Sequence, residues 1–337
     1  MAEVLVEAIR SGVAERSHRG DVAVVDAGGG IRYYVGDPFK YTFMRSAAKP
    51  LQALAIVETG AADAFGLSAE ELAVTCASHN AEPGHVAAVR SILEKAGLTE
   101  DCLRCGVHPP IDEESRAALY REGGRASSVH SNCSGKHAGM LAVCAHMGWP
   151  IEDYWHADHP LQHLLLENVA DMAGVAVEQV GLGIDGCGVV VHAMPIAAMA
   201  RAFVRLATGE GLSGDRIRAA RAVSDAMGAH AFMVGGTGRV CTGLNGLSGG
   251  RFTSKGGAVG VYCAASAELG LGVAVKISDG NGQAAGIAAL ESLSQLGAFT
   301  EEDLETLRSY HCPDNKNVLQ QTVGEVRGVL QLRRTKI

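Results

Sequence analysis

Segments patterned as strands alternate with segments patterned as helices along the whole chain, and glycine-rich turns separate them. Residues 21–26 read as a strand, 27–30 as a turn and 31–35 as the partner strand. Glycine supplies 43 of the 337 residues, well above the usual share of about 7%, and it clusters in short motifs. Such clusters indicate tight turns and close backbone approaches. Interleaved helices and strands predict an α/β fold.

The length of 337 residues allows a large core, and the chain has no internal repeat, low-complexity segment or charged linker. We therefore expect one domain over residues 1–337, with two lobes as the alternative arrangement. The polar end of the chain, residues 331–337, is expected to be a disordered tail.

Charge and cysteine usage limit the partners and the compartment. A net charge of −8 provides no basic surface, which argues against nucleic acid and against an anionic membrane as partners. The sequence shows neither an 18-residue apolar run nor a leader pattern. Nine dispersed cysteines are an odd number for a disulfide scaffold. Free thiols in a reducing cytoplasm are therefore expected.

Ser46-Ala-Ala-Lys49 is the first motif that carries chemistry. Residues three apart on a helix share a face, so the hydroxyl and the amine can meet. A serine needs an adjacent base, and a lysine becomes one when its charged form is disfavoured. The same S-x-x-K spacing marks the nucleophile of enzymes that attack amides. Taken alone, the spacing also occurs by chance, and most such pairs are solvated helix surface.

Two cysteine clusters form the second candidate site, Cys133-Ser-Gly-Lys136-His137 and Asp185-Gly-Cys187-Gly188. As thiolates, the two cysteines could hold a borderline metal such as zinc, although a lysine ligand would have to be neutral. Gly135 allows a close backbone approach. The alternative is a helix start capped by Asn132 or Ser134, with buried structural cysteines.

Thr253-Ser-Lys255-Gly-Gly257 resembles the K-T-G element that accompanies S-x-x-K in β-lactamase-like enzymes. A solvated lysine before a turn is the alternative. Ser78 lies in a polar loop beside His79, but neighbouring side chains in extended chain point apart. If Ser78 is catalytic, its base has to come from elsewhere in the fold.

Taken together, these clusters resemble one family, the L-asparaginases of the Rhizobium etli inducible type (class 3, asparaginase II). The motifs that carry the resemblance follow the family's order from about residue 5 to about residue 330, and they are Met44-Arg-Ser-Ala-Ala-Lys-Pro50, Cys76-Ala-Ser-His-Asn80, Ser131-Asn-Cys-Ser-Gly-Lys-His-Ala-Gly-Met140, Asp185-Gly-Cys-Gly188, Gly236-Thr-Gly238 and Lys255-Gly-Gly257. The resemblance implies a central, mostly antiparallel sheet flanked by helices, similar to serine β-lactamases and glutaminases. It also implies an L-asparagine amidohydrolase that releases L-aspartate and ammonia, in a homodimer.

The resemblance further implies roles for individual residues. Two Ser–Lys tandems would be Ser46 with Lys49 and Ser78 with Lys255. The remaining positions are the zinc ligands Cys133, Lys136 and Cys187 and the substrate-binding residues Arg45, His137 and Asp185. Zinc is expected to position the substrate, with metal-activated water as the rival mechanism.

Several alternatives stay open at the level of sequence. The start of a helix favours Ser46 as the attacking residue, with Ser78 as the other candidate. Val190 and Val259 depart from an expected proline and an expected glutamate of the family. A glutaminase, another Ser–Lys amide hydrolase, or a non-catalytic homologue that binds zinc or an amino acid are the rival functions.

Overall fold

The computed structural model describes residues 2–335, which divide into two compact units. Unit 1 comprises residues 2–47, 194–211 and 251–335, and unit 2 comprises residues 48–193 and 212–250. The sequence-based prediction of one domain over residues 1–337 stays a prediction.

Residues 2–335 form twelve strands, which are β1 Glu3–Arg10, β2 Val13–Asp26, β3 Ile31–Val35, β4 Tyr41–Phe43, β5 Gly181–Ile184, β6 Val190–Pro195, β7 Phe252–Gly257, β8 Val261–Ser266, β9 Leu271–Ile277, β10 Asp314–Lys316, β11 Thr322–Gly328 and β12 Arg333–Arg334. The same residues form thirteen α-helices, which are α1 Lys49–Glu58, α2 Ala61–Ala64, α3 Ala69–Thr75, α4 Pro83–Lys95, α5 Glu113–Arg121, α6 Ser134–Met147, α7 Pro160–Ala173, α8 Ile196–Thr208, α9 Gly214–Ala229, α10 Ala231–Gly235, α11 Val240–Asn245, α12 Gly282–Gln295 and α13 Glu301–His311. Short 3-10 helices, Arg45–Ala48 and Ser128–His130, come before α1 and α6.

Unit 1 is built on a nine-stranded sheet with the order β10-β11-β1-β2-β9-β8-β7, in which β3 pairs with β2 and β12 pairs with β3. Its described ladders are antiparallel. Helix α8 packs on β2, β8 and β9, and α12 packs on β1, β8, β9 and β11. Helix α8 lies so close to the sheet that a Cβ at Gly272 would be 2.0 Å from the Ala200 carbonyl oxygen. The predicted α/β fold, with a mostly antiparallel sheet flanked by helices, is confirmed.

Unit 2 is mainly helical and carries the β5–β6 hairpin. Helix α1 packs against α6, α7 and α9, while α3 packs against α4, α6 and α9. Arg216 of α9 forms an ion pair with Glu58 of α1 and a second one, at 3.0 Å, with Asp171 of α7. These contacts join α1, α7 and α9 at the last residue of α1, the helix whose first residue is Lys49.

Two sequence-based expectations need correction. The tail over 331–337 was expected to be disordered, but Arg333 and Arg334 pair with Tyr34 and Tyr33 of β3 because that strand offers a free edge. The last two residues of that tail, 336 and 337, lie outside the described residues. The alternative reading of a helix start capped by Asn132 or Ser134 is also wrong, because the N-cap of α6 is Cys133, without a side-chain cap. No helix within residues 2–335 is long and apolar enough to cross a membrane.

Candidate active site

Lys49 occupies the first position of α1, directly after the 3-10 helix, and Pro50 follows it where a helix tolerates proline. Its side chain is buried, with 1% exposed. Nζ donates to the Ala77 carbonyl oxygen at 2.5 Å and lies 3.1 Å from the Ser78 hydroxyl oxygen. The lysine of the S-x-x-K motif therefore contacts the serine of the following polar loop.

Ser78 lies in the extended segment that follows α3. A capping box starts α3, since Ser68 Oγ accepts from the Glu71 N–H and the Glu71 carboxylate accepts from the Ser68 N–H. Past the end of α3, the Ser78 N–H donates to the Val234 carbonyl oxygen at 3.1 Å. This backbone bond orients the buried Ser78 side chain and already uses its own amide donor.

The start of α6 crosses the end of α3 at very short range. A Cβ at Gly135 would be 2.1 Å from the Val74 carbonyl oxygen, which confirms the predicted close approach. The crossing brings Cys133 next to α1, where its sulfur lies 3.3 Å from Lys49 Nζ. Lys49 thus contacts both the candidate nucleophile Ser78 and the first predicted zinc ligand.

The three predicted zinc ligands converge in unit 2. Lys136 Nζ lies 3.1 Å from Cys187 Sγ, and the thiols of Cys187 and Cys133 are hydrogen-bonded. That hydrogen bond, together with the charges of Lys49 and Lys136, holds the pKa of Cys133 well below its usual range. The same hydrogen bond and burial raise the pKa of Cys187. Of the two hydrogen-bonded thiols, Cys133 is therefore the more acidic.

Lys136 is fully enclosed between these sulfurs. Burial acts to lower the pKa of Lys136, but the Cys187 and Cys133 sulfurs and the Asp185 carboxylate together raise it. A buried ammonium beside a thiolate is a satisfied ion pair.

The donor chemistry of this cluster fits zinc. Zinc takes thiolate and nitrogen ligands, and three protein ligands leave an open position for water or substrate. No group of three or more His, Cys, Asp and Glu side chains within residues 2–335 could hold a metal. A site here consequently needs the Lys136 amine, and binding has to release protons from Lys136 and Cys187.

His137 follows Lys136 on α6 and is completely buried. Its Nδ1 lies 2.7 Å from the Tyr154 hydroxyl, and the two rings meet edge to face. Burial and the charges of Lys136 and Lys49 lower the pKa of His137 well below its usual range, so the ring is neutral. Nε2 has no hydrogen-bond partner within the part of the chain that the structure describes.

Asp185 lies in the turn between β5 and β6. Its carbonyl oxygen accepts from the Gly188 N–H at 2.9 Å, and its carboxylate accepts from the Gly186 N–H at 2.8 Å. Gly188 has a φ of +86°, a conformation that glycine adopts without strain. The turn presents a half-exposed carboxylate near the Lys136 charge, next to Cys187.

The remaining predicted residues, Arg45, Ser46 and Lys255, belong to unit 1. Arg45 and Ser46 are half-buried in the 3-10 helix, and Arg45 has a φ of +52°. Lys255 is buried in β7 and its Nζ donates to the Gly256 carbonyl oxygen at 2.8 Å, so the reading of Lys255 as a solvated lysine is wrong. A Cβ at Gly257 would be 2.6 Å from the Met44 carbonyl oxygen, so β7 ends against the backbone beside Ser46.

The structure brings together Lys49, Ser78, Cys133, Lys136 and Cys187 in unit 2. The contact between Lys49 and Ser78 differs from the pairing implied by the family resemblance, and the tandems of Ser46 with Lys49 and of Ser78 with Lys255 stay predictions. Sequence reasoning did not find Tyr154, the partner of His137. An aromatic residue in the polar turn before α7 was its only signal.

An α/β chain in which a buried lysine amine contacts a serine hydroxyl has the parts required of an amide-hydrolysing enzyme. The chain matches the L-asparaginase II family over residues 6–328, and it therefore belongs to that family of amidohydrolases. A comparison with curated protein sequences finds no relative.

Three solved structures are similar to the chain at low identity. A β-lactamase from Mycobacterium bovis is 14% identical with a TM-score of 0.42 and covers 82% of this chain and 94% of its own. A Bacillus glutaminase is 14% identical with a TM-score of 0.38, covering 82% and 91%. A mutant of simvastatin synthase from Aspergillus terreus is 14% identical with a TM-score of 0.41, covering 82% and 93%. With scores below 0.5, these similarities carry no argument about activity.

Proposed function

We propose that this protein is an L-asparaginase that hydrolyses the side-chain amide of L-asparagine by serine–lysine nucleophilic catalysis. The observation that carries the proposal is the buried contact of 3.1 Å between Lys49 Nζ and Ser78 Oγ, in a chain of the L-asparaginase II family. A hydroxyl and an amine at that distance can exchange a proton directly.

The proposed reaction has two acyl-transfer steps. A serine oxygen attacks the amide carbon, its proton moves to the lysine amine, and the lysine then protonates the leaving nitrogen, which departs as ammonia. Water attacks the resulting aspartyl ester and gives a proton to the lysine amine. The lysine passes that proton to the departing serine oxygen, so the serine hydroxyl is restored as L-aspartate leaves. Backbone N–H groups that face the developing oxyanion are typically worth about 3–4 kcal/mol each.

The attacking oxygen belongs to Ser46 or to Ser78, and the two assignments make different demands on Lys49. If Ser78 attacks, Lys49 is its base, and the oxyanion donors must be amides other than that of Ser78, which is bonded to Val234. If Ser46 attacks, the Lys49–Ser78 contact relays the proton and Lys255 assists. Rapid quenching with L-asparagine, followed by peptide mass spectrometry, locates the acyl group on one serine.

Substrate recognition is proposed to rest on charges at the two ends of the amino acid. The half-exposed Asp185 carboxylate can bind the α-ammonium group. Arg45 stays a predicted substrate-binding residue. Ammonia release from L-asparagine, L-glutamine and a chromogenic β-lactam, measured in parallel, tests this substrate choice. Turnover of L-glutamine or of the β-lactam in preference to L-asparagine would contradict it, and binding without turnover would favour the non-catalytic homologue.

We propose that zinc is held by Cys133, Lys136 and Cys187, whose donor atoms already converge. The ion would supply a Lewis acid next to the substrate site and would fix the position of His137 and Asp185. Metal analysis of the purified protein, with cadmium substitution read by sulfur-to-metal absorption, tests the site independently of activity. Cys133→Ser is expected to abolish the absorption band, and Cys312→Ser is the matched control.

Two further properties are proposed with the function. A homodimer is proposed from the family alone, and sedimentation measures it directly. All nine cysteines are free, which supports a reducing compartment such as the cytoplasm. With a small-molecule substrate, neither nucleic acid nor a membrane is proposed as a partner.

A further inference from the structure

The Tyr154 hydroxyl is fully buried and has two hydrogen-bonding neighbours, a backbone N–H and a histidine ring nitrogen. The Arg104 backbone N–H lies 3.0 Å from the Tyr154 oxygen, and His137 Nδ1 lies 2.7 Å from it. A backbone N–H can only donate, so the phenol oxygen accepts that bond. The single phenol proton is then available for His137.

The direction of the Tyr154–His137 hydrogen bond follows from which assignment leaves every buried donor with an acceptor. If Nδ1 carried a proton, the Tyr154 oxygen would accept two bonds and its own proton would be buried without a partner, because Tyr154 is 0% exposed. A buried donor without an acceptor is strongly unfavourable, because it has lost its hydrogen bond to water. The satisfied arrangement has the Tyr154 O–H donating to an unprotonated Nδ1, so the proton of the neutral ring is on Nε2.

The Nε2–H group is therefore a buried donor, and it lacks an acceptor within the described residues. His137 lies one turn beyond Cys133 on α6, so both residues share a helix face. Cys133 contacts Lys49, and Lys49 in turn contacts Ser78. The donor thus belongs to the site that holds the candidate nucleophile, and a ligand oxygen would satisfy it.

We propose that Tyr154 is a positioning residue that fixes the tautomer of His137, so that the Nε2–H group donates to an oxygen atom of the amino-acid substrate. The inference rests on the proposed function for the identity of the substrate and on geometry alone for the tautomer. The same tautomer leaves Nε2 without a lone pair, which assigns His137 to the substrate and not to a metal ion.

The rigidity of Tyr154 fits this role. Its carbonyl oxygen accepts from Gln162 Nε2 at 2.8 Å, which anchors the turn to α7. The ring is one of the largest fully buried side chains and stands edge-on to His137, so neither ring can rotate without opening the core. A fixed orienting partner is what a histidine needs in order to present one ring nitrogen reproducibly.

The tautomer can be read directly from nitrogen resonances of the intact protein labelled with 15N-histidine, with His137 identified by its absence in His137→Gln. We expect the proton on Nε2 in the wild type, and a mixture of tautomers in Tyr154→Phe, which removes one oxygen atom and keeps the ring. A proton on Nδ1 in the wild type, or an unchanged tautomer in Tyr154→Phe, would overturn the proposal.

A double-mutant cycle separates positioning from a purely structural role. Tyr154→Phe is expected to raise KM for L-asparagine about tenfold with little change in kcat, because a substrate-binding bond is lost alike in the ground and transition states. In a His137→Gln background, the amide N–H replaces Nε2–H and needs no tautomer, so adding Tyr154→Phe should change KM less than twofold. An unchanged tenfold effect in that background would refute the positioning role. Tyr120→Phe, at an exposed position in α5, is the control for loss of a tyrosine hydroxyl.

The two proposals fail in different ways. If wild-type protein releases no ammonia from L-asparagine, the proposed function fails, and the nitrogen resonances still test the Tyr154–His137 bond. If ammonia is released but the wild-type proton is on Nδ1, the function stands and the inference about Tyr154 falls.

Discussion

The substitution Gly135→Ala tests whether the crossing of α6 over α3 sets the geometry of the site. A Cβ at this position would be 2.1 Å from the Val74 carbonyl oxygen and 2.9 Å from the carbonyl carbon, whereas real Cβ contacts are essentially never below 3.0 Å. The neighbour is backbone and cannot rotate away. The start of α6 must therefore shift by at least 0.9 Å, the difference between 3.0 Å and 2.1 Å.

That shift has two expected consequences. Overpacking of this kind typically costs about 1–3 kcal/mol, which urea unfolding measures as a lower midpoint at an unchanged slope. A displacement of about 1 Å in a catalytic group can cost about 100-fold in rate, and the shift carries Cys133, Lys136 and His137 relative to Lys49 and Ser78. We expect kcat/KM for L-asparagine to fall by about that factor in protein that is still folded.

The matched control is Gly282→Ala, at the start of α12, where an added Cβ meets nothing within 4 Å and φ is not positive. It should leave kcat/KM unchanged and leave the free energy of unfolding equal or slightly higher. If Gly135→Ala keeps both the stability and the kcat/KM of the wild type, the crossing does not set the site and the reasoning from backbone contact is refuted.

Three further predictions concern separate parts of the chain. Burial lowers the pKa of His192 from 6.5 to about 4, so the unfolded chain binds a proton first as pH falls. We therefore expect His192 to lower the free energy of unfolding by about 3 kcal/mol between pH 6.5 and pH 4. Parallel curves of unfolding free energy against pH for the wild type and His192→Met would contradict this. Val259 has a φ of +60°, a strained conformation for a β-branched residue, so Val259→Gly should raise the free energy of unfolding by about 1 kcal/mol. The control Val13→Gly in strand β2 should lower that free energy by about 0.5–1 kcal/mol. A lower free energy of unfolding in both variants, measured with urea, would refute the strain argument. Asp185→Asn should raise KM for L-asparagine about 10–100-fold while Asp101→Asn leaves it unchanged, and an unaltered KM in Asp185→Asn would remove the carboxylate from substrate binding.

Elements decided by local chemistry were predictable from the sequence. The capping box of Ser68 and Glu71 is made by residues three apart, and its two hydrogen bonds start α3. The hairpin of β2 and β3 likewise depends on a glycine turn between neighbouring segments. Both structures are stabilised within a few residues, so their signals survive in the order of the amino acids.

The contact of Lys49 with Ser78 could not be predicted in the same way. The two residues are 29 positions apart, and they meet because α1 and the end of α3 pack in one helical cluster. Spacing alone paired Lys49 with Ser46, its neighbour one turn away. Tyr154 had no motif at all, because a buried phenol acquires its role only from the two groups that surround it.

At the end of the chain, the sequence predicted disorder where the structure has the short strand β12. Arg333 and Arg334 carry no apolar pattern and are exposed, so nothing in their composition predicted order. Backbone pairing with the free edge of β3 orders them, because strand addition uses main-chain hydrogen bonds and not side chains. Edges of this kind are visible only once the order of strands in the sheet is known.

The central claim is that Lys49 and Ser78 form the proton-transfer pair of an L-asparagine amidohydrolase. The most direct test is the initial rate of ammonia release from L-asparagine by the wild type, Ser78→Ala and Lys49→Met, with Lys316→Met as the control at an exposed lysine. We expect turnover by the wild type and the control, and a loss of at least about 100-fold in kcat for both site variants in folded protein. Wild-type rates in either Ser78→Ala or Lys49→Met would contradict it.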